Sequence, residues 1–204
     1  MKLKILLLFI LASYSLMSQP DDIIEAVKKD YSEYKSKTII DSTDKRLIVL
    51  LENLFLESLQ SNENTFSEST LASLRNFNED SNLPNWHLFY LYMFYQSFVA
   101  EATQNPNLAN PELQLWLIET LTEEVENIFG IVPVIVAIYK GEALLATGQK
   151  SKAINHFDKF IKIYPDAIPI KVYQFQLESN FDKKESLYND LKTNYPDHWM
   201  VKSL

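Results

Sequence analysis

The chain has 204 residues, of which 47% are hydrophobic and 23% are charged, an ordinary balance for a globular protein that argues against a wholly disordered chain. Its formal net charge of −8 argues against a general nucleic-acid binder, which needs lysine and arginine to contact phosphates, and against attachment to anionic lipid by charge. The sequence has no cysteine, which excludes disulfides, zinc–thiolate sites and thiol catalysis, and its three glycines disfavour folds built on many tight turns.

Residues 1–19 have the layout of a secretory signal peptide. Lys2 and Lys4 form a basic start, residues 5–12 (ILLLFILA) are an unbroken apolar run, and serines suited to cleavage follow. The apolar run is too short to span a bilayer comfortably. We therefore expect an exported protein, periplasmic or secreted, with no stable membrane span once the signal is cleaved. An uncleaved membrane anchor is the alternative.

The next part of the chain predicts helices, because apolar residues recur there at a spacing of three or four positions. Asp21 and Asp22 suit the positive amino-terminal end of the first helix. Pro111 suits the first turn of the last one, and Gly130 suits its carboxyl-terminal cap. The predicted helices cover residues 21–37, 44–60, 66–77, 83–103 and 111–129.

The predicted helix at 83–103 is the most aromatic part of the chain. Its aromatic residues are Trp86, Phe89, Tyr90, Tyr92, Phe94, Tyr95 and Phe98. A helix that is apolar on all sides is usually buried between neighbours, so we expect this one in the core. Membrane insertion is the alternative, but the apolar run is short for a bilayer and contains His87 and Gln96.

Residues 131–147 are briefly strand-like, because Val132, Val134, Ile135 and Val136 are β-branched, but the helical period then resumes and predicts a helix that ends at Gly148. Further helices are predicted at 150–164, 168–178 and 183–194. Every break is short, and no pair of strands is evident. The sequence therefore predicts a helical amino-terminal part at 20–130 and a second helical part at 131–204, packed together as one unit.

Six residues within 134–167 are spaced as a two-helix repeat requires: Gly141, Leu144, Gly148, Ala153, Phe157 and Pro165. With these residues the segment resembles a tetratricopeptide repeat, a helix pair of about 34 residues. The resemblance implies that Gly141 and Ala153 allow close helix approach, and that Phe157 fills the space between the helices. It also implies that Gly148 lies at the turn. Pro165 closes the pair because it has no backbone N–H.

The segment departs from the family pattern at Ala137, Lys140 and Phe160. A second, more divergent copy is suggested for 168–198, because Tyr164-Pro165-Asp166 recurs as Tyr195-Pro196-Asp197. The resemblance therefore implies an all-α fold in which antiparallel helix pairs form a short α-solenoid like that of tetratricopeptide repeat proteins. A helical hairpin inside an unrelated bundle is the alternative.

The resemblance also implies a binding surface, because ligands of this family commonly lie in the groove lined by the first helix of each pair. The groove positions in this sequence are Ile135, Ile138, Glu142, Leu145, Tyr173 and Gln176. Ile138 and Glu142 stand where some relatives grip a carboxylate with Lys and Asn, so a carboxylate clamp is not expected. An apolar groove suits a hydrophobic segment or another helix. The alternative is that Ile135, Ile138 and Leu145 pack on neighbouring helices.

No set of residues forms a recognisable reaction centre. Three glycines cannot supply a phosphate-binding loop, and no nucleophile elbow is present. His87, His156 and His198 stand far apart without metal-ligand spacing, and we expect the first and last to be packed and His156 to be solvated. Glu119 and Glu123, one helical turn apart, are expected on a solvated face. Four lysines (Lys150, Lys152, Lys159 and Lys162) are expected on an outer face as well.

The sequence thus predicts an exported, non-enzymatic scaffold that binds a protein or peptide and needs no cofactor, metal or nucleic acid. A structural subunit of a cell-envelope assembly is one alternative. A small hydrolase that uses the scattered His and Glu residues is a second.

Overall fold

In a computed structural model of the chain, described for residues 20–62, 65–106 and 109–204, the regular elements are helices, and no strand occurs in those ranges. The predicted signal peptide at 1–19 lies outside the described residues. The helices are α1 (Pro20–Lys37), α2 (Arg46–Leu54), α3 (Glu68–Glu79), α4 (Trp86–Gln104), α5 (Pro111–Phe129), α6 (Val134–Ala146), α7 (Lys150–Ile163), α8 (Ile168–Leu177), α9 (Phe181–Asn194) and α10 (Trp199–Lys202). A π-helical turn (Phe55–Leu59) continues α2.

The predicted helices are confirmed, with differences where local capping or close packing decides the boundary. Within residues 131–147, α6 begins at Val134, directly after Pro133, so the β-branched Val134, Ile135 and Val136 are helical and Val132 lies before the helix. Helix α9 begins at Phe181, earlier than predicted, because the Asn180 side chain accepts a hydrogen bond from the backbone N–H of Lys183 (3.0 Å). The π turn and the short α10 were not predicted.

The described residues form two compact units, which we call unit 1 and unit 2. Unit 1 contains the described residues up to Asp44 together with Leu74–Gly130. In it, α4 packs against α5 and against α1. The aromatic side chains of α4 are mostly buried, which confirms that this helix belongs to a protein core. None of the helices that the structure describes is long and apolar enough to cross a membrane.

A buried asparagine joins two segments of unit 1. The backbone N–H of Asn85, which has a left-handed φ of 61°, donates to the carbonyl of Ile39 at 2.8 Å. Its side-chain amide donates to the carbonyl of Asp41 at 2.7 Å, and its side-chain oxygen accepts from the Asp41 N–H at 3.0 Å. Asn85 therefore satisfies the backbone of the loop after α1 and fixes it at the start of α4.

Unit 2 contains Lys45–Ser73 and Ile131–Leu204. Here α6 packs on α7, α7 on α8, α8 on α9, and α10 on α8, so that successive helices form adjacent pairs. This is the all-α arrangement of a short solenoid, and the short turns between its helices make the neighbours antiparallel. Residues 45–73, which the sequence analysis assigned to the amino-terminal part, lie in this unit. The expectation that the two parts pack together as one remains a prediction.

Candidate functional site

The crossing of α6 and α7 depends on the absence of a side chain at Gly141. A Cβ atom placed there would lie 2.1 Å from Cζ of Phe157 and within 2.7 Å of two further ring carbons, far closer than van der Waals contact. Ala153 is fully buried, and Phe157 is 1% exposed. Glycine therefore allows the Phe157 ring to lie directly on the α6 backbone, as the repeat pattern predicted.

The turn between the two helices is closed by Gly148, which has a left-handed φ of 74°. Its N–H donates to the carbonyl of Leu145 at 2.9 Å, and the N–H of Gln149 donates to that of Leu144 at 2.8 Å. These two bonds form a Schellman motif, which satisfies carbonyls that the end of α6 would otherwise leave unpaired. A left-handed residue is required there, and glycine adopts that conformation without strain.

The two Tyr-Pro-Asp segments form similar turns. The N–H of Ala167 donates to the carbonyl of Tyr164, and the N–H of His198 donates to that of Tyr195, both at 3.1 Å. A helix follows each turn, α8 after the first and α10 after the second. The second helix pair has its own buried cluster, in which side chains from α8, α9 and α10 meet: Ile168, Val172, Leu191, Met200 and Val201.

Two of the predicted groove residues, Ile135 and Ile138, are in the core. Ile135 is completely buried and Ile138 is 1% exposed. The chain's own α2 and π turn pack against α6 in the same unit. The alternative that these side chains pack on neighbouring helices therefore holds for both of them, and neither is accessible to a ligand in this structure.

Polar contacts fasten the end of the π turn to both Tyr-Pro-Asp turns. The Gln60 side chain donates to the carbonyl of Asp166 at 2.8 Å and accepts from the N–H of Ile168 at 3.1 Å. The imidazole of His198, which is 2% exposed, donates through Nε2 to the carbonyl of Leu59 at 3.0 Å. These hydrogen bonds hold the segment that ends at Gln60 against both Tyr-Pro-Asp turns of unit 2.

The remaining predicted groove residues include one partly buried carboxylate. Glu142 accepts a hydrogen bond from the hydroxyl of Tyr173 at 2.6 Å, and the Tyr173 ring stacks on Phe157 at a centroid distance of 4.8 Å. Burial raises the pKa of Glu142, and the bond from Tyr173 offsets part of that rise. Burial and the nearby carboxylate likewise raise the pKa of Tyr173. Leu145 is partly buried and Gln176 is exposed, so both remain reachable beside this pair.

Glu142 forms no ion pair within the described part of the chain, and its polar contact there is with the Tyr173 hydroxyl. A buried carboxylate without a neighbouring cation is costly, and it favours either protonation or a donor from outside the chain. The sequence placed Glu142 on the groove, but its environment depends on Tyr173 from the next helix pair.

The three histidines make different contacts. His87 is fully buried in unit 1, where Nε2 lies 3.9 Å from a Glu124 carboxylate oxygen and burial lowers its pKa to about 4. His156, predicted to be solvated, is instead partly buried, because its Nε2 donates to the carbonyl of Ala137 at 2.7 Å. The packing predicted for His87 and His198 is confirmed.

The polar cluster around Glu124 was not predicted. Glu124 also pairs with Lys35 from α1, and burial together with the Glu124 charge raises the pKa of the Tyr31 hydroxyl. Of the two acidic residues that were considered, Glu119 is partly buried and Glu123 is exposed. No group of three or more His, Asp or Glu side chains among the described residues is placed to hold a metal ion.

The lysines predicted on an outer face of α7 are exposed: Lys150, Lys152, Lys159 and Lys162. Unit 2 thus has the features of a helical-repeat protein: a helix crossing that depends on Gly141, a Schellman turn at Gly148, and stacked neighbouring helices.

A comparison with protein families supports this class. The family model of the tetratricopeptide repeat matches residues 138–167, which supports a repeat of this type in that segment. The match covers α6 from Ile138 onward, α7 and the first Tyr-Pro-Asp turn. Residues 168–198, predicted as a second copy, lie outside the match. No curated protein and no solved structure matches the chain.

Proposed function

We propose that the chain is an exported, non-enzymatic scaffold that binds another protein or peptide through the reachable repeat surface around Glu142. The tetratricopeptide repeat at 138–167 supports an interaction role, because stacked helix pairs present extended preformed surfaces. Repeats of this kind generally serve as scaffolds, which supports binding without a covalent step.

The observation that carries the proposal is the partly buried carboxylate of Glu142. It is held in place by Tyr173, lacks a cation of its own, and lies on α6 beside Leu145. A donor or cation from a partner would offset the cost of burying this charge, and the reachable side chains beside it would add apolar and amide contacts. The segment 45–60 already packs on α6, where Ile135 and Ile138 are buried, so the partner would use the partly exposed positions Glu142 and Leu145.

Charge substitutions at Glu142 test the proposal. The full chain is expressed in its native host as the wild type, Glu142→Gln and Glu142→Lys, and bound proteins are crosslinked and compared quantitatively. Glu185→Lys on the exposed face of α9 is the matched control. We expect at least one partner to be recovered poorly with Glu142→Lys, at intermediate yield with Glu142→Gln, and normally with the control. Unchanged helicity of each variant is checked by circular dichroism. Equal recovery of every partner by all four proteins would contradict a role for this surface.

Export is tested separately by fractionating the host and sequencing the amino terminus of the recovered protein. We expect protein outside the cytoplasm that has lost residues up to about the end of the 1–19 segment. Intact protein confined to the cytoplasm would contradict export while leaving the binding proposal in place.

A further inference from the structure

A pocket of unit 2 lies between α7, α8 and α9. It is a pocket of about 200 Å³ whose floor consists of apolar side chains: Ile154, Phe157, Leu177 and Leu187. Its remaining lining is polar and comes from Asp158, Gln174, Glu178 and Ser179. The pocket therefore combines a narrow apolar floor with two carboxylates.

We propose that this pocket binds the side chain of an arginine from a partner polypeptide. The floor suits the three methylene groups of the arginine stem, which gain from burial while the charged end stays near water. Because Phe157 is only 1% exposed, the partly buried side chains of Ile154, Leu177 and Leu187 would supply most of this apolar contact.

The polar lining favours a cation over an anion or a neutral group. One carboxylate oxygen of Asp158 accepts a hydrogen bond from the Gln174 amide at 2.8 Å, which orients the carboxylate and leaves its second oxygen for a ligand. One oxygen of Glu178 accepts from the backbone N–H of Asn180 at 2.7 Å, and this bond helps to lower the pKa of that carboxyl, so that it is ionised at neutral pH.

The carboxyl-terminal end of α8 adds to the negative potential that the Asp158 and Glu178 carboxylates produce in the pocket. The helix ends at Leu177, and Leu177 lines the pocket, so carbonyl groups of the last turn contribute partial negative charge beside it. Lys183 and Lys184 on the first turn of α9 are the nearby opposing charges that act on Glu178. Lys184 lies over the ring of Phe175 at 5.1 Å, and Phe175 is not part of the pocket lining.

Arginine fits this lining better than lysine does. The carboxylates come from different elements, Asp158 from α7 and Glu178 from the end of α8, and Gln174 also lines the pocket. A planar guanidinium has five N–H donors in fixed directions and can reach several acceptors at once, whereas an ammonium is a compact point charge.

A titration with small molecules tests the pocket without the natural partner. N-acetyl-arginine amide is added to the full chain, and amide chemical shifts are followed by NMR. The uncharged N-acetyl-norleucine amide and the cationic N-acetyl-lysine amide are the comparison probes. We expect saturable shifts centred on Leu177 and Ser179 with arginine, weaker ones with lysine, and none that saturate with norleucine.

Substitution of the two carboxylates completes the test. Asp158→Asn and Glu178→Gln should each weaken arginine binding about two- to fivefold, the factor that partly exposed charge pairs give. Glu185→Gln, an exposed acid of α9 outside the pocket, should leave it unchanged. The proposal is overturned if arginine gives no saturable shifts here, if norleucine or lysine binds as well as arginine, or if the control weakens binding as much as the pocket variants. These outcomes are independent of whether Glu142 contributes to partner binding.

Discussion

Replacing Gly141 by alanine perturbs the helix crossing at a single atom. The new Cβ would lie 2.1 Å from Cζ of Phe157, so the ring would have to retreat by about 1.3 Å to restore ordinary contact. That ring is 1% exposed and stacked on Tyr173, which leaves it little room to move. Overpacking of this kind costs about 1–3 kcal/mol. Alanine recovers up to about 1 kcal/mol through its higher helix propensity. We therefore expect Gly141→Ala to destabilise unit 2, by up to about 2 kcal/mol once the full propensity gain is subtracted.

A double-mutant cycle separates the steric cost from the backbone effect. In a Phe157→Leu background the ring is absent, so Gly141→Ala should become neutral or stabilising by up to about 1 kcal/mol. Ala146→Gly at an exposed site near the end of α6 measures the helix-propensity contribution alone.

Urea unfolding of the full chain is followed by circular dichroism and by tryptophan fluorescence. Trp199 is the tryptophan of unit 2, so its signal reports on that unit once Trp86 and Trp116 are replaced by phenylalanine. If Gly141→Ala stabilises the protein with Phe157 intact, or if its effect is the same in both backgrounds, the close crossing is refuted.

Two further predictions concern stability. Gly148→Ala should lower the free energy of unfolding by about 1–2 kcal/mol, and Gly148→Asn by less, because φ is 74° and no atom lies within 4 Å of the added Cβ, so that only backbone strain contributes. Urea unfolding of both variants measures this loss of stability. Equal stability of Gly148→Ala and wild type would contradict the prediction. Burial lowers the pKa of His87 from 6.5 to about 4 in the folded protein. Between these two pH values the unfolded state binds more protons than the folded state does, so the free energy of unfolding should fall by roughly 3 kcal/mol as the pH drops from 6.5 to 4. Since burial also lowers the pKa of His156 and His198, the measured quantity is the difference in this pH dependence between wild type and His87→Phe; no difference would contradict the prediction.

Helix positions could be predicted from the sequence because their causes are short-range. Pro111 begins α5 with Asn110 as its cap, and the Asn110 side chain accepts from the N–H of Leu113 at 3.0 Å. Gly130 and Gly148 end helices in the left-handed conformation that glycine adopts freely. The repeat marks were equally readable, because Gly141 and Phe157 belong to neighbouring helices whose turn fixes their register.

The placement of α2 could not be predicted in this way. Nothing near Gln60 in the sequence indicates that its side chain bonds to the backbone of Asp166, which is 106 residues away. The apolar stripe of α2 predicts that one face is buried but does not specify the surface that buries it. For the same reason the sequence could not decide whether Ile135 and Ile138 line a groove or are buried against neighbouring helices.

The chain alone therefore determined the approximate positions of most helices, the ends marked by Pro111, Gly130 and Gly148, and the repeat pattern at 138–167, since these follow from backbone preferences and from residues within one helix pair. Tertiary structure decided which positions of that repeat remain reachable, because exposure depends on elements brought together from distant parts of the chain. It also decided the chemistry of Glu142 and of the pocket between α7, α8 and α9. The charge state and partners of a side chain are set by its surroundings, and those surroundings come from several helices at once.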